Sequence, residues 1–481
     1  MHNYINNQTV KSVIWSAVER FSVQAIQFIL TVIFARLISP AEFGLIAMLG
    51  IFMQIAQSFV DSGFSNALIQ KKNRSEVDFS TVFYFNCVIS IITYIALYIG
   101  APYIAQFYNK PILENICKWI GLNLIIQGVA VVQIAKLTIN LNFKTQAKAS
   151  LIAITISGVL GVYLAYNGYG VWALVIQSLL NTLINTLLLS FYTKWKPTFE
   201  FSLSSLKSMF GFGSKLLFSG LLHTIYTNIY SLVIGKKYDA IDVGYYNQSS
   251  QIARFPSVSL MAIITRALYP IQCKNQDNYQ LLQQSFIKYL KMSCFLVFSI
   301  MTGIASLSEP LIMFLLTEKW APIAPILSIL CIGYMFTSVT VLNNQILNVR
   351  GRSDLYLKVE IIKKVVGVII LVATISWGLT FICLGILFYN ICDMLLVIYY
   401  SKKIIHIGYI KQVKAIIPIS IIILITGLLT RTYVSLVSNL YIQLFGGILL
   451  YSLFFIILCK QFKVSDFAII CGMIKEFKDK K

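Results

Sequence analysis

Eight ionisable side chains inside long apolar stretches of this sequence are candidates for function, because a charge there is costly. Each stretch is about as long as the roughly 20 residues that a helix needs to cross a bilayer. A charge at the centre of such a helix costs about 2.5 to 3.5 kcal/mol or more, so it usually faces a cavity or a partner. The eight residues are Glu19, Arg20, Asp61, Lys215, His223, Arg254, Arg266 and Asp393.

Arg254 is the first candidate for binding an anion. It lies near the middle of the stretch 243–269, beside Pro256 and after the polar run 247–251, which indicates that this helix borders water. A guanidinium group there is suited to bidentate contact with a phosphate. The competing interpretation is a structural ion pair with an acidic residue of a neighbouring helix.

Arg20 and Glu19 form a second candidate site near the start of the chain. Arg20 follows Lys11 by nine residues, which is about 13 Å along a helix and deep enough to face a cavity. Adjacent side chains point about 100° apart on a helix, so Glu19 and Arg20 do not face the same way. Glu19 is therefore a candidate site for a proton or a cation. Snorkelling to the membrane interface is the alternative interpretation of Arg20.

The remaining charged residues each have two interpretations. Lys215 and Arg266 lie near the cytoplasmic ends of their stretches, where they could attract an anion or simply snorkel. Asp61 precedes Ser62-Gly63 and fits a helix cap or hinge as well as a coupling or gating site. His223 is a candidate for coupling transport to protons, although a lone His is more often structural. Asp393 is interpreted as a packed polar contact.

Metal and cofactor chemistry is not expected. The nine cysteines show no C-x-x-C spacing, and the three histidines form no H-E-x-x-H motif, so a metal site built by the protein is not predicted. No D-x-D motif or long soluble segment is present for a glycosyltransferase or a polymerase. The sequence therefore predicts neither an enzyme nor a bound cofactor.

Composition assigns the chain to the membrane. The content is 58% hydrophobic and 12% charged, with a mean hydropathy of +0.77, whereas soluble domains average about 45–50% apolar and 25% charged residues. The net charge of +21 comes from basic residues that punctuate the apolar stretches and form no continuous basic face, so nucleic acid is not an expected partner. The fold class predicted is an all-α, polytopic membrane protein.

About fourteen transmembrane helices are predicted, and hydropathy also permits twelve. Placing the N-terminus in the cytoplasm puts 28 of the 39 Lys and Arg residues inside and seven outside, a strong positive-inside signal that puts both termini in the cytoplasm. The predicted spans are 12–37, 43–69, 80–106, 113–136, 148–167, 170–192, 209–234, 243–269, 286–308, 321–345, 356–376, 379–400, 413–431 and 438–459.

Matching residue pairs recur about 200 residues apart and indicate an internal duplication. Gly44 recurs as Gly244, and Ala67-Leu68 recurs as Ala267-Leu268. Two six-helix halves with the same orientation are then related by an axis along the membrane normal. The domain prediction is an N-terminal bundle (1–193), a cytoplasmic linker (194–208), a C-terminal bundle (209–405), and a helix pair with a basic tail (406–481).

Seven motifs resemble the polysaccharide transporter family of lipopolysaccharide, O-antigen, teichuronic-acid and exopolysaccharide export proteins. Together they cover most of residues 10–400. This family is similar to the superfamily of multidrug MATE exporters and lipid II flippases, which implies two bundles in a MATE-like V shape. The motifs are ARLISPAEFGLIAM (35–48), DSGFSNALIQKKNRSEVDFSTVFYFN (61–86), LNFKTQAKASL (141–151), GYGVWALVIQSL (168–179), VIGKKYDAIDVGYYN (233–247), ITRALYPIQ (264–272) and SEPLIMFLLTEKWAPIAPIL (308–327).

The resemblance implies a flippase of the bacterial cytoplasmic (inner) membrane. Its cargo would be a polyprenyl-pyrophosphate-linked oligosaccharide of the undecaprenyl type, moved by alternating access, with membrane lipids, a glycan polymerase and chain-length machinery as partners. Tyr230 stands where the family commonly has an Asp, which weighs against carboxylate coupling in this half. The alternative is a MATE-like, cation-coupled antiporter of small molecules, although the mainly basic residues inside the spans favour an anionic cargo.

Overall fold

The computed structural model describes Trp15 and residues 22–462, except Ser62 and Lys72, and every regular element among them is helical. Glu19 and Arg20 lie outside the described residues, as does the predicted basic tail from residue 463 onward. The helix that contains Lys215 is described but the side chain of Lys215 is not. The helices are α1 (Ser22–Leu37), α2 (Pro40–Asp61), α3 (Phe64–Gln70), α4 (Glu76–Tyr108), α5 (Ile112–Ile139), α6 (Phe143–Tyr166), α7 (Val171–Thr193), α8 (Leu203–Lys237), α9 (Ala240–Lys274), α10 (Tyr279–Ser306), α11 (Ser308–Leu316), α12 (Ile323–Met335), α13 (Thr337–Val349), α14 (Ser353–Thr374), α15 (Leu379–Ile405), α16 (Tyr409–Leu436) and α17 (Gly447–Gln461).

Local sequence explains where several helices begin. Ser75 and Asp78 form a capping box at the start of α4, in which each side chain satisfies a backbone N–H of the other residue. Asn142, Ser202 and Asn278 cap α6, α8 and α10 through side chains that accept from backbone N–H groups. These caps satisfy donors that the first helical turn leaves unpaired.

Ten helical segments of the described chain are long and apolar enough to cross a membrane, so the protein is a multi-pass membrane protein. Helices α8 and α9 have 35 residues each, and α14 has 22, but they are more polar and are not among the ten. The prediction of an all-α polytopic fold is confirmed, whereas the count of fourteen stays a prediction. The ten segments are α2 with α3, α4, α5, α6, α7, α10, α12 with α13, α15, α16, and 442–461.

The chain forms two compact units, Met1–Gly244 and Tyr245–Lys481. In the first unit α4, α5 and α7 pack together, α6 packs on α7, and α8 packs against α2, α3 and α4. Helix α8 therefore packs with the first unit, although the sequence repeat assigns it to the second half. The repeat itself remains a prediction.

In the second unit α10 packs against α12 and α16, and α15 packs against α12, α13 and α14. The C-terminal pair of α16 and α17 is attached to α10, where the Tyr451 hydroxyl donates to the Ser299 carbonyl at 2.7 Å. A buried amide pair joins α13 to α16, because Asn343 and Gln412 exchange two hydrogen bonds of 3.0 Å. Such pairs satisfy polar groups that lipid cannot.

Candidate functional site: polar faces of long helices

A polar face runs along α2 and α8 in the first unit. Gln54 and Asn228 exchange side-chain hydrogen bonds of 2.9 and 3.3 Å across the two helices, and the Ser58 and Thr224 hydroxyls lie 3.5 Å apart. Gln54, Ser58 and Asp61 follow the i, i+4, i+7 spacing that places side chains on one side of a helix. We call the six residues Gln54, Gln57, Ser58, Asp61, Thr224 and Asn228 the unit 1 polar face.

Asp61 is the last residue of α2 and lies at one end of the unit 1 polar face. Its Oδ1 accepts from Gln57 Nε2 at 2.9 Å, and the side chain is exposed. Gly63 has a φ of 71° and precedes the first residue of α3, so α2 and α3 are separate helices. The role of Asp61 in coupling or gating stays a prediction.

His223 is exposed on α8, one residue before Thr224. Its backbone carbonyl accepts from the Thr227 hydroxyl at 3.0 Å, which is an ordinary contact within a helix. Exposed polar side chains along helices of spanning length usually face a water-filled cavity or another protein surface, because lipid penalises them. We therefore consider this face a candidate surface for a hydrated cargo.

A second polar face lies on α9 in the second unit. Ser250, Arg254 and Ser257 share one side of the helix at i, i+4 and i+7. The Ser257 hydroxyl donates to the Tyr334 carbonyl of α12 at 2.9 Å, and the Ser250 and Tyr334 hydroxyls lie 3.4 Å apart. Pro256 lacks the N–H that would otherwise bond the Ile252 carbonyl, so the helix is locally weakened here. We call Ser250, Arg254, Ser257 and Tyr334 the unit 2 polar face.

Arg254 is exposed on this face. Of the ion pairs that the described residues form, none includes Arg254 or Arg266. The structural ion pair that competed with anion binding is therefore not seen for Arg254. Arg266 is also exposed and lies twelve residues further along α9, which corresponds to about 18 Å. The two guanidinium groups do not act on one small anion together.

Asp393 has the packed, polar surroundings expected from the sequence. It is buried on α15, 3.4 Å from Lys363 of α14, and Lys363 lies 2.8 Å from Glu360 on its own helix. One lysine thus faces two carboxylates inside the second unit. Asp393 makes the packed polar contact that the sequence predicts.

Sequence reasoning missed Gln54 and Tyr334. Gln54 could have been found, because its spacing to Ser58 and Asp61 marks a polar side on an otherwise apolar helix. Tyr334 carries no such signal, since it stands in an apolar segment and gains its role only from its packing beside α9.

Among the described residues, no group of three His, Cys, Asp or Glu residues is placed to bind a metal ion.

Comparison with known proteins connects this architecture to glycan biosynthesis. The model of a family described as polysaccharide biosynthesis protein matches residues 33–325. The teichuronic acid biosynthesis protein TuaB of Bacillus subtilis (strain 168) is 28% identical over 353 residues, which cover 73% of both chains. The lipopolysaccharide biosynthesis protein WzxC of Escherichia coli (strain K12) is 25% identical over 369 residues, 75% of this chain and 73% of that protein.

Among solved structures, the fold is similar to that of the lipid II flippase MurJ in an inward closed conformation. The TM-score is 0.74 at 18% identity, covering 93% of this chain and 99% of MurJ. An inward-facing multidrug resistance MATE family transporter of the MOP superfamily has a TM-score of 0.58 at 15% identity, covering 81% of this chain and 98% of that one. At these identities the likeness shows a shared fold.

Proposed function

Because the chain belongs to the family of polysaccharide biosynthesis proteins, we propose that it moves a polyprenyl-pyrophosphate-linked oligosaccharide across the bacterial cytoplasmic membrane by alternating access. The cargo would be an O-antigen, capsule or exopolysaccharide unit. Relatives named as biosynthesis or transport proteins for teichuronic acid, lipopolysaccharide and succinoglycan support this assignment, as does the MurJ-like fold. No covalent step is needed, so the proposed activity is transport and not catalysis.

The observation that carries the proposal is the exposed Arg254 with no carboxylate partner in the described chain. A pyrophosphate must lose water to pass the low-dielectric layer, and a guanidinium on a polar face replaces part of that hydration with bidentate hydrogen bonds. An acidic site would instead favour a cationic cargo, as expected for the antiporter alternative, which no observation favours here.

The other predicted residues take secondary roles in this proposal. Arg20, Arg266 and Lys215 attract the pyrophosphate at other depths, while Glu19, Asp61 and His223 couple or gate the movement. Amide and hydroxyl groups of the unit 1 polar face, such as Gln54 and Asn228, suit the hydroxyl groups of a sugar because they both donate and accept.

The setting follows from the charge distribution and the chemistry of the cargo. Both termini lie in the cytoplasm, where 28 of the 39 basic residues are predicted to lie. The glycan polymerase and the chain-length machinery would receive the cargo on the opposite side of the membrane. Membrane lipids surround the isoprenoid tail, which need not enter the protein.

The test is deletion of the gene in its native host, followed by complementation. We expect loss of one surface glycan and accumulation of a lipid-linked precursor that faces the cytoplasm, both reversed by the intact gene. The precursor's side is read from its reaction with a membrane-impermeant periodate-type reagent in intact cells and in lysed cells. Normal surface glycan without accumulated precursor, in a host with no second exporter of this family, would refute the proposal.

A further inference from the structure

The ends of three helices in the first unit line a half-open pocket that contains none of the candidate residues discussed so far. The pocket lies where α4 begins and where α5 and α7 end, and its volume is about 470 Å³. Its lining includes three cations, Arg74, Lys136 and Lys194, and one carboxylate, Glu76. We call it the basic pocket.

Glu76 and Lys136 already neutralise each other at one wall of the basic pocket. Lys136 Nζ lies 2.9 Å from both carboxylate oxygens of Glu76, and the Trp195 indole N–H donates to the same carboxylate at 2.7 Å. The ammonium group also lies over the rings of Phe79 and Trp195, at 4.5 and 5.0 Å from their centroids. The charges of this wall are therefore matched.

The other two cations are not matched in this way. Arg74 Nη1 is shielded from solvent and has no hydrogen-bond partner within the described part of the chain. Within the same residues, no carboxylate lies within 4.0 Å of the Lys194 ammonium. A shielded charged donor without an acceptor is unfavourable, and a ligand that supplies an acceptor relieves this cost. The pocket thus has an excess positive charge and an unused donor.

The position of the pocket indicates what kind of anion would fill it. Helices α4, α5 and α7 are each long and apolar enough to cross a membrane, so their ends lie at the level of lipid headgroups. Phe79, Leu137 and Ile139 add an apolar wall beside the cations. A volume of this size is in the range that holds small ligands.

We propose that the basic pocket binds the phosphate group of a membrane lipid, with Arg74 and Lys194 as its ligands. Two sources share this chemistry, the headgroup of an anionic phospholipid and the diphosphate of an isoprenoid lipid. The proposal does not rest on Arg254, because the pocket lies in the first unit and Arg254 lies in the second. Planar, bidentate donors such as Arg74 suit phosphate oxygens.

The test uses the purified full-length chain in an uncharged maltoside detergent. Dihexanoyl phosphatidylglycerol, farnesyl diphosphate and inorganic phosphate are titrated separately, and tryptophan emission is followed. The Trp195→Phe variant identifies the part of the signal that comes from the pocket. We expect at least one of the two lipids to bind more tightly than inorganic phosphate, and the tighter of the two identifies the source.

Four variants decide whether the pocket is the site. We expect Arg74→Gln and Lys194→Asn each to weaken lipid binding by about tenfold, the scale of one charge-assisted hydrogen bond. Asn tolerates the left-handed conformation of residue 194, whose φ is 50°, so this variant tests the site even if Arg74→Gln misfolds. Lys196→Asn removes the same charge two residues away, outside the lining of the pocket, and should change binding by less than about twofold.

We expect Glu76→Gln to change lipid binding in the opposite direction to Arg74→Gln and Lys194→Asn. It removes the carboxylate, releases Lys136 and should tighten lipid binding several-fold, whereas a merely structural role of Glu76 would weaken it. Equal losses from Lys194→Asn and Lys196→Asn would indicate diffuse surface charge and overturn the proposal. Binding of inorganic phosphate as tight as that of both lipids would also overturn it, as would unchanged lipid binding in folded Arg74→Gln and Lys194→Asn.

Discussion

Arg254 is the residue on which the proposed transport depends most directly. Alanine removes both the charge and the planar donors, whereas lysine keeps the charge only. We expect Arg254→Ala to lower the export rate by at least about tenfold, which corresponds to one charge-assisted hydrogen bond of roughly 1.5 kcal/mol. Arg254→Lys should give an intermediate rate. Surface glycan produced in the deletion strain at matched expression is the measurement.

Two other positions on α9 serve as comparisons for Arg254. Arg266→Ala removes an exposed guanidinium about 18 Å away along the helix, so we expect a smaller loss of export. Lys274→Ala removes an exposed charge at the end of the helix and should leave export unchanged. Full export from Arg254→Ala would eliminate it as a required phosphate ligand.

Some residues of these sites are visible in the sequence and others are not. Arg254 stands out because a charge in a long helix is rare, and the polar run before it strengthens the signal. Arg74 does not stand out, since it lies in a basic loop whose charges are sufficiently explained by membrane orientation. Its use becomes evident only when the start of α4 meets the ends of α5 and α7. Tyr334 is hidden for the same reason, because tertiary packing creates its role.

At the scale of elements, Gly44 and Gly244 explain why glycine recurs in the repeat. A Cβ at Gly44 would lie 1.7 Å from the Ala240 carbonyl oxygen, and one at Gly244 would lie 2.2 Å from the Pro40 carbonyl oxygen. The start of α9 thus approaches the start of α2 backbone to backbone, and each glycine makes room for the other helix. Small residues commonly allow such approaches between membrane helices.

We expect Gly44→Ala to destabilise the protein by about 1–3 kcal/mol, because the two helices must move apart to admit the new methyl group. Gly50→Ala is the matched control on the same helix, since a Cβ there would have nothing within 4 Å. It should be neutral or stabilise the helix by up to about 1 kcal/mol. Thermal unfolding in detergent measures both variants, and equal unfolding temperatures would contradict the close approach.

An ion pair joins the turn between α4 and α5 to the turn between α8 and α9. Lys110 Nζ lies 2.8 Å from Asp239 Oδ1, and the Ala240 N–H donates to the same carboxylate oxygen at 2.7 Å. The hydrogen bond from Lys110 and the one from the backbone together lower the pKa of Asp239 below its ordinary value. Both side chains are substantially exposed, so the pair contributes little to stability.

This lowered pKa gives the pH dependence its sign. The stabilisation that the ionised Asp239 gives the folded protein is fully present above the unfolded pKa of about 4. It is lost as the pH falls through the lower pKa of the folded state. Asp239→Asn removes the charge but keeps an acceptor for the Ala240 N–H. We expect its unfolding temperature to be slightly below that of the unchanged protein at pH 7 and to equal it near pH 2. A difference that grows on acidification would contradict the pairing.

The helix boundaries agree with the predicted spans where the length of a helix matches the thickness of the membrane, and they differ elsewhere. The predicted span 170–192 agrees with α7 (Val171–Thr193), and 113–136 agrees with α5 (Ile112–Ile139) within three residues. Helices α8 and α9 extend beyond the apolar stretches, because helical hydrogen bonding continues after the hydrophobic signal ends. The predicted span 321–345 is divided at Phe336 into α12 and α13. No Pro or Gly occupies that position, so the sequence gives no warning of the break.

At the scale of the whole molecule, the repeat and the compact units divide the chain at different places. The repeat predicts a second half that begins near residue 209, whereas the first compact unit runs to Gly244 and includes α8. A duplicated sequence records ancestry, while compactness records which helices bury one another, so the two need not coincide. The apolar stretches therefore predicted the helices better than the repeat predicted their packing partners.

The number of spans is the property of the whole molecule that most needs a direct test. Helices α8 and α9 are long enough to cross but too polar to be recognised by hydropathy, as expected if one side of each faces water. The Lys110–Asp239 pair puts the turn after α8 beside the turn after α4. Because Lys110 is predicted to lie outside, α8 must then cross the membrane. The predicted distribution of Lys and Arg residues also places Gly378, between α14 and α15, outside the cytoplasm.

Alkaline phosphatase fusions, which are active only outside the cytoplasm, test this topology. We expect activity for fusions after Asp239 and after Gly378, as for a control fusion after Asn109, and none for a fusion after Lys196. Inactive fusions after Asp239 would mean that α8 and α9 do not cross, and an inactive fusion after Gly378 would exclude α14. A fluorescent protein at the C-terminus should be bright, since fourteen spans return the chain to the cytoplasm. If α8, α9 and α14 did not cross the membrane, an odd number of crossings would remain, and the C-terminus would lie outside the cytoplasm. The phosphatase fusions and the fluorescent protein therefore check each other.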